Sequence, residues 1–318
     1  LTSLTILGSC TGSGDIQDFS KPSVITVNPN SAGKTQTLLN CTTNGKNLHI
    51  EGFTLLNDGT QNDNNEIGIK ANTSGGGNLT LKNIATRNNS GTGIDISEGG
   101  TVLIANTLFA DGGIGLKAGS NTTVVNATFA NNGVDYDNSG TIPTIYNTVS
   151  WNENNTLTSS SDDGNVAIAQ NIDNNDPQSG PNFVDPNNND IAKRDYSIRP
   201  SMSLLDKGKD EKYKNTDGLN PDDRDLANNP RFSGTIDVGA YEFASELSEI
   251  LYVKQGIAAG DGKSWDSPLS DLQSAVNLAG VYSSSQAGGD GTTKVGYVFV
   301  DREVITTDLK VPFANVKV

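Results

Sequence analysis

Histidine, cysteine, methionine and tryptophan are nearly missing from this chain: 1, 2, 1 and 2 copies among 318 residues. A single histidine, His49 between Leu48 and Ile50, reads as a strand residue and leaves no imidazole set for a zinc site or a nucleophile–base pair. Aromatic residues are 6% and hydrophobic residues 34% of the chain. That is thin for one spherical core, but a stack of coils needs only narrow inward rows. No run nears the roughly 20 apolar residues that span a bilayer, so no membrane insertion is expected. The net charge of −15 comes without a basic stripe. Nucleic acid is therefore not an expected partner. An acidic surface suits a secreted, extracellular protein at a cell surface.

What is abundant is repetition. Five stretches align: LHIEGFTLLN (48–57), LTLKNIATRN (79–88), VLIANTLFAD (102–111), TTVVNATFAN (122–131) and PTIYNTVSWN (143–152). Their fifth position is Gly52, Asn83, Asn106, Asn126 and Asn147; their tenth is Asn57, Asn88, Asp111, Asn131 and Asn152. A shorter run follows each of the first four: IGIK (67–70), GIDI (93–96), GIGL (113–116) and GVDY (133–136). Period-2 alternation in runs this short predicts strands, with no room for crossover helices, so successive strands should pair in parallel. Leu48/Ile50, Leu79/Leu81, Val102/Ile104, Val124 and Ile145 form the inward set, Phe109 matches Phe129, and Ile67, Ile94, Ile114 and Val134 are read as a third apolar row. The asparagines Asn57, Asn83, Asn88, Asn106, Asn126, Asn131, Asn147 and Asn152 are expected to stack as structural ladders, because an inward amide must be hydrogen-bonded.

Three regions follow. Residues 1–172 are predicted as coils and 173–243, rich in Asn, Asp and Pro, as a looped closing section ending in a strand, TIDVGAYEF. Residues 244–318 read as an opening strand, a capping helix over 268–279 and new strands. Ser267 is the expected N-cap, Pro268 the first helical residue and Gly280 the stop.

With LTLKNIATRNN…GIDI in view, the chain resembles right-handed parallel β-helix proteins of the pectate-lyase-like class. YSIRPSMSLLDKG…DLANNPRFSGTIDVGAYEF resembles the closing section, and LYVKQGIAAGDGKSWDSPLSDLQSAV the opening, of surface β-helix adhesins of Bacteroidetes-type bacteria. The resemblance implies an all-β fold: a right-handed single-stranded parallel β-helix, or solenoid, with one short capping α-helix near the C-terminus. It also implies that opening precedes closing. Here the order is reversed, and LKVPFANVKV joined to LTSLTILGS reads as one continuous entry, which predicts a unit cut from a tandem array. Trp265, Leu272 and Val276 would then meet Tyr241 at a junction between modules.

The chemistry expected is correspondingly sparse. Glycosidases need paired carboxylates, and Asp162-Asp163-Gly164 stands in a Ser-rich turn without partners. Asp95 and Asp135 are read as sharing one strand column with Gly115 between them, on a solvated face. No catalytic residue and no cofactor is nominated, and the chain is not expected to be an enzyme. Asp185, Asp190, Asp222 and Asp223 are the weak candidates for Ca²⁺ in irregular loops. Cys10 and Cys41 are either a disulfide between neighbouring coils or two buried thiols. The leading expectation is a structural filament or adhesin stalk whose partners are identical or tandem modules. The alternative is a polysaccharide-binding or polysaccharide-degrading protein, acting on surface glycans along the outer face of 94–96, 114–116 and 134–136.

Overall fold

The computed structural model describes residues 3–7, 23–26, 37–57, 66–97, 99–137, 142–243, 250–256, 260–285, 296–301, 309 and 316–318. The chain is predominantly β and divides into two compact units. The first is Leu1–Asn171 with Asp185–Ser197 and Asp206–Glu242; the second is Ile172–Val184 with Ile198–Leu205 and Phe243–Val318. The segment 173–243 thus contributes to both. No helix among the described residues is long and apolar enough to cross a membrane.

The strands of the first unit are β1 (Ser3–Leu7), β2 (Ser23–Thr26), β3 (Thr37–Thr42), β4 (Asn47–Leu56), β5 (Ile67–Asn72), β6 (Leu79–Arg87), β7 (Thr92–Ser97), β8 (Val102–Ala110), β9 (Ile114–Lys117), β10 (Thr122–Ala130), β11 (Val134–Tyr136), β12 (Thr144–Tyr146), β13 (Val149–Asn152) and β14 (Val166–Ala169). One sheet runs β1-β4-β6-β8-β10-β13-β14, with β2 on β4 and β12 on β10; the other runs β11-β9-β7-β5-β3. Their registered pairs are parallel. From β4 to β11 the chain alternates between the two sheets, and each return lays a strand beside the previous one.

Register puts like over like. Ile50, Leu81, Ile104, Val124 and Ile145 form one continuous row. Phe109 pairs with Phe129, their rings stacked at 4.6 Å and 6°. The third row differs from expectation. Ile94 lies beside Ile69 and Leu116, whereas Ile67 and Ile114 flank Thr92. The cause is a glycine column. A Cβ on Gly68 would come within 2.6 Å of the Gly93 carbonyl, on Gly93 within 2.6 Å of Gly115, and on Gly115 within 2.8 Å of the Phe129 ring. The phenyl rings fill the interior there, so the glycines set the register. Asp95 consequently pairs with Lys117, and does not share a column with Asp135.

Strand β8 is buried at every position, on both faces. Val102 and Ile104 face the core between the sheets. On the other face Leu103, Ala105 and Val125 pack against Tyr213 and Ile236 from Asp206–Glu242. That segment contains the short α1 (Asp210–Lys214). β15 (Phe183–Asp185), a 3-10 turn (Ile191–Lys193) and β16 (Asp195–Ile198) precede it. TIDVGAYEF is not a strand: Gly239 sits at φ 105, its N–H donates to the Asn147 carbonyl, and the Ala240 N–H donates to Thr128 Oγ1.

In the second unit β17 (Ile250–Val253), β18 (Gly296–Val300) and β19 (Val316–Lys317) form a parallel sheet against α2 (Leu272–Ser285). The helix starts later than expected and runs through Gly280. Leu269 is held extended by hydrogen bonds with Tyr252 and Lys254, so Pro268 cannot open a helix. Asp271 caps instead, accepting the Ser274 N–H at 2.7 Å.

Candidate functional site

The two asparagine positions are backbone bends. Asn83, Asn106, Asn126 and Asn147 have φ of 52°, 50°, 54° and 49°, and Gly52, which takes the same place on β4, has φ 82°. Asn88, Asp111 and Asn131 repeat the bend at 56°, 61° and 55°. Left-handed backbone is costly for most side chains, tolerable for Asn and Asp, and free for Gly. Pairing breaks at the bend: β6 meets β8 over 79–82 and again over 85–87.

The amides do not form one continuous ladder. Asn147 Nδ2 donates to Asn126 Oδ1 at 3.2 Å, and Asn88 Nδ2 to the Asn57 carbonyl at 2.9 Å. Asn57 Nδ2 bonds Asn89. Asn152 receives the Asn132 N–H at 2.8 Å and donates to Asp135. Most other bend contacts reach outward, to the returning segments. Asn106 Nδ2 donates to Tyr213 Oη at 3.0 Å and to the Arg224 carbonyl at 2.9 Å. Asn126 Nδ2 donates to the carbonyls of Asp237 and Gly239, and Asn147 exchanges bonds with the Lys209 backbone. On the second column Asn131 Nδ2 donates to Tyr196 Oη at 2.7 Å, and Asp111 accepts from Tyr196 and Arg194. Arg87 adds bonds to the carbonyls of Ile191 and Arg194. One column therefore holds Asp206–Glu242 and the other Asp185–Ser197.

A charged cluster sits against the first column. Glu51 and Lys82 are register partners immediately before the bends at Gly52 and Asn83. Glu51 Oε2 bonds His49 Nε2 at 2.8 Å; its Oε1 accepts from Asn83 Nδ2 at 2.9 Å and lies 3.6 Å from Lys82 Nζ. Lys82 Nζ reaches Asp223 Oδ1 at 2.6 Å. Asp223 Oδ2 accepts the Asn220 N–H at 2.9 Å and the Tyr213 O–H at 3.0 Å. The side chains of Glu51, Lys82 and Asp223 are 9%, 11% and 11% exposed; His49, at 30%, connects them to solvent. Burial, then the Asp223 carboxylate, push the Tyr213 hydroxyl well above the usual tyrosine range, so it stays a donor. This cluster was missed in sequence. Its one legible sign is the opposite-charge cross-strand pair Glu51/Lys82.

A second charged group closes the segment. Arg231 Nη2 pairs with Glu242 Oε2 at 3.0 Å, both side chains fully buried. Glu242 also accepts the N–H groups of Ser233 and Asp237. Burial pushes the Glu242 carboxyl up to about 7, against the pull of Arg231. Asp225, accepting the Glu242 and Asn229 N–H groups, is raised by burial too.

The other nominated residues fall in both units. Tyr241 belongs to the first unit; Trp265, Leu272 and Val276 belong to the second. Leu272 and Val276 are buried there with Leu251, Val253 and Val298, while Trp265 is half-exposed against Tyr252. Asp185 accepts from Asn188; Asp190 caps the 3-10 turn and pairs with Lys193; Asp222 is exposed; Asp223 is committed to Lys82. Among the described residues no three metal-ligating side chains converge. Asp135 is fully buried, accepting from Ser150, Asn152, Thr156 and Leu157, and burial raises its pKa. Cys41 is a half-buried free thiol whose pKa burial pushes up to about 11; Cys10, and with it the disulfide, lies outside the described residues.

No family model matches the chain, and no curated protein or solved structure is significantly similar to it.

Proposed function

We propose that this chain is a structural repeat module: a right-handed single-stranded parallel β-helix that stacks head to tail with identical or tandem modules in an extracellular cell-surface stalk or filament. The observation that carries the reading is the pair of parallel sheets whose end strands have a strand neighbour on one side only. Among the described residues β1 and β14 at the ends of the first sheet, and β3 and β11 at the ends of the second, each have a strand neighbour on one side only; at β11 and β14 the outward N–H groups of Tyr136 and Ala167 donate to the Thr156 and Ser159 hydroxyls instead of to a further strand. Unpaired strand edges are templates for further strands. A fold that grows by adding one parallel strand per turn can continue into another copy by the same geometry.

The rest of the first unit supports scaffolding over chemistry. Its outer sheet face carries the chain's own Asp206–Glu242 segment, and its bends are spent on holding that segment. The polysaccharide alternative asked for paired carboxylates on the 94–96, 114–116 and 134–136 strands. Asp135 is buried and Asp95 faces Lys117 in another column, so no observation favours it.

Electron microscopy of concentrated protein, with sedimentation velocity over a concentration series, tests the reading. Rods lengthening with concentration are expected. A monomer that stays monomeric at every concentration, and in a two-copy tandem forms two independently tumbling beads, would contradict it.

A further inference from the structure

We propose that Lys82 and Asp223 are built to condense into an intramolecular amide bond, with Glu51 carrying the proton, so that strand β6 is covalently tied to the returning segment.

The reacting atoms are already in place. Lys82 Nζ lies 2.6 Å from Asp223 Oδ1, with both side chains about nine-tenths buried. The other carboxylate oxygen, Oδ2, is held by two donors, the Asn220 N–H at 2.9 Å and the Tyr213 O–H at 3.0 Å. Asn106 Nδ2 donates to the Tyr213 oxygen, which turns the phenol proton toward Asp223. Oδ2 is thus placed to become the oxyanion of a tetrahedral intermediate and then the amide carbonyl, while Oδ1 is the oxygen that leaves. Glu51 Oε1, 3.6 Å from Nζ, is the nearby base. Its second oxygen bonds His49, which opens the relay to solvent.

The step balances without any other reactant. The Lys82 ammonium and the Asp223 carboxylate together hold three protons on nitrogen. Glu51 takes one, the free amine attacks Asp223 Cγ, and the C–N bond forms. Glu51 returns its proton to Oδ1, the nitrogen gives up a second proton to the same oxygen, and the C–O bond breaks. One proton remains on the amide nitrogen, and Oδ1 departs as water. Fixed neighbours replace a bimolecular encounter, an advantage that can reach an effective molarity of about 10⁵ M or more. The two residues are 141 positions apart, so the bond would close the segment Asp206–Glu242 onto the sheet by a link that thermal or mechanical opening cannot break. Nothing in this step requires modules to stack, so it stands or falls separately from the filament reading.

The test is intact mass spectrometry of folded protein, followed by proteolysis. A mass one water below that of the sequence is expected, together with a branched peptide joining Lys82 to Asp223. Lys82→Arg keeps a cation for the ion pair but should show the full mass, as should Asp223→Ala. Glu51→Gln should fold with the wild-type circular dichroism spectrum and form the bond about 100-fold more slowly. Full mass for the wild type after prolonged incubation at neutral pH, with the ion pair merely persisting, would overturn the proposal. Bond formation in Glu51→Gln at the wild-type rate would remove Glu51 from it.

Discussion

The sheet strands and the Asp206–Glu242 segment lie against one another and are held by opposite means. Between β4 and β10 an aliphatic row and a left-handed bend recur on every turn, with the Phe109–Phe129 stack added between β8 and β10. Each repeat of that contact contributes modestly, and its neighbours resemble it. The returning segment has one short helix and no repeat; it is fixed to the sheet by individual bonds from the bends and by the Lys82–Asp223 pair, and braced within itself by Arg231–Glu242. Distributed packing tolerates local change. Point attachment does not, because a single substitution leaves a buried group without its partner.

The largest consequence is expected at Arg231. Arg231→Ala strands the Glu242 carboxyl in a fully buried site, at a cost of about 3–5 kcal/mol in denaturant unfolding. The same change paired with Glu242→Leu should restore part of that loss. If the single variant loses under about 1 kcal/mol, the buried pair does not brace the segment.

Next comes pH. An unfolded Glu242 gives up its proton near 4.5, whereas in the folded chain burial moves this to about 7. Between those values the folded state binds more protons, so this group's stabilisation is whole below 4.5 and disappears as pH rises through 7. The unfolding free energy from urea titration should fall over that window, by on the order of 3 kcal/mol at most. Asp225 and Asp135, also raised by burial, act in the same direction. A midpoint that climbs with pH across the window would show that the carboxylate is favoured by its donors more than burial disfavours it.

Gly115→Ala probes the distributed side. Its Cβ would stand 2.6 Å from the Asp135 carbonyl and 2.8 Å from the Phe129 ring, so overpacking should cost about 1–3 kcal/mol in thermal or chemical unfolding. No loss would mean that the glycine column does not set the register of the second sheet.

The smallest effect separates backbone from side chain at a bend. Asn126 has φ 54° and bonds two segment carbonyls. Replacement by Gly removes only the bonds; replacement by Ala adds the left-handed penalty of about 1–2 kcal/mol. Equal stabilities of the two variants would show that the bend relaxes when the amide is lost.

The same contrast explains how far the sequence could be read. Rows with period 2 and bends with a spacing of 20 to 23 residues are local signals, and the strands and both asparagine columns were visible from them. The error in the Ile94 row came from aligning the wrong glycine of GIGL. Only the phenyl packing over Gly93 and Gly115 decides between the two registers. The start of α2 was misplaced because Leu269 pairs with β17, a contact invisible to capping rules. What the asparagines bind could not be read at all. Asn106 meets Tyr213 across 107 residues, in a segment without periodicity to align. Lys82 finds Asp223 the same way, and the cross-strand partner Glu51 is the one local sign of a charged group there.

Hydrogen exchange on Asn106→Gly/Asn126→Gly/Asn147→Gly, compared with the wild type, tests most directly whether the bends serve to hold the returning segment. Faster exchange should be confined to Asp206–Glu242, above all at the Lys209 and Gly239 amides, while β6, β8 and β10 keep their protection. Exchange that rises together in the strands and the segment would contradict this, because the asparagines would then be holding the sheets themselves.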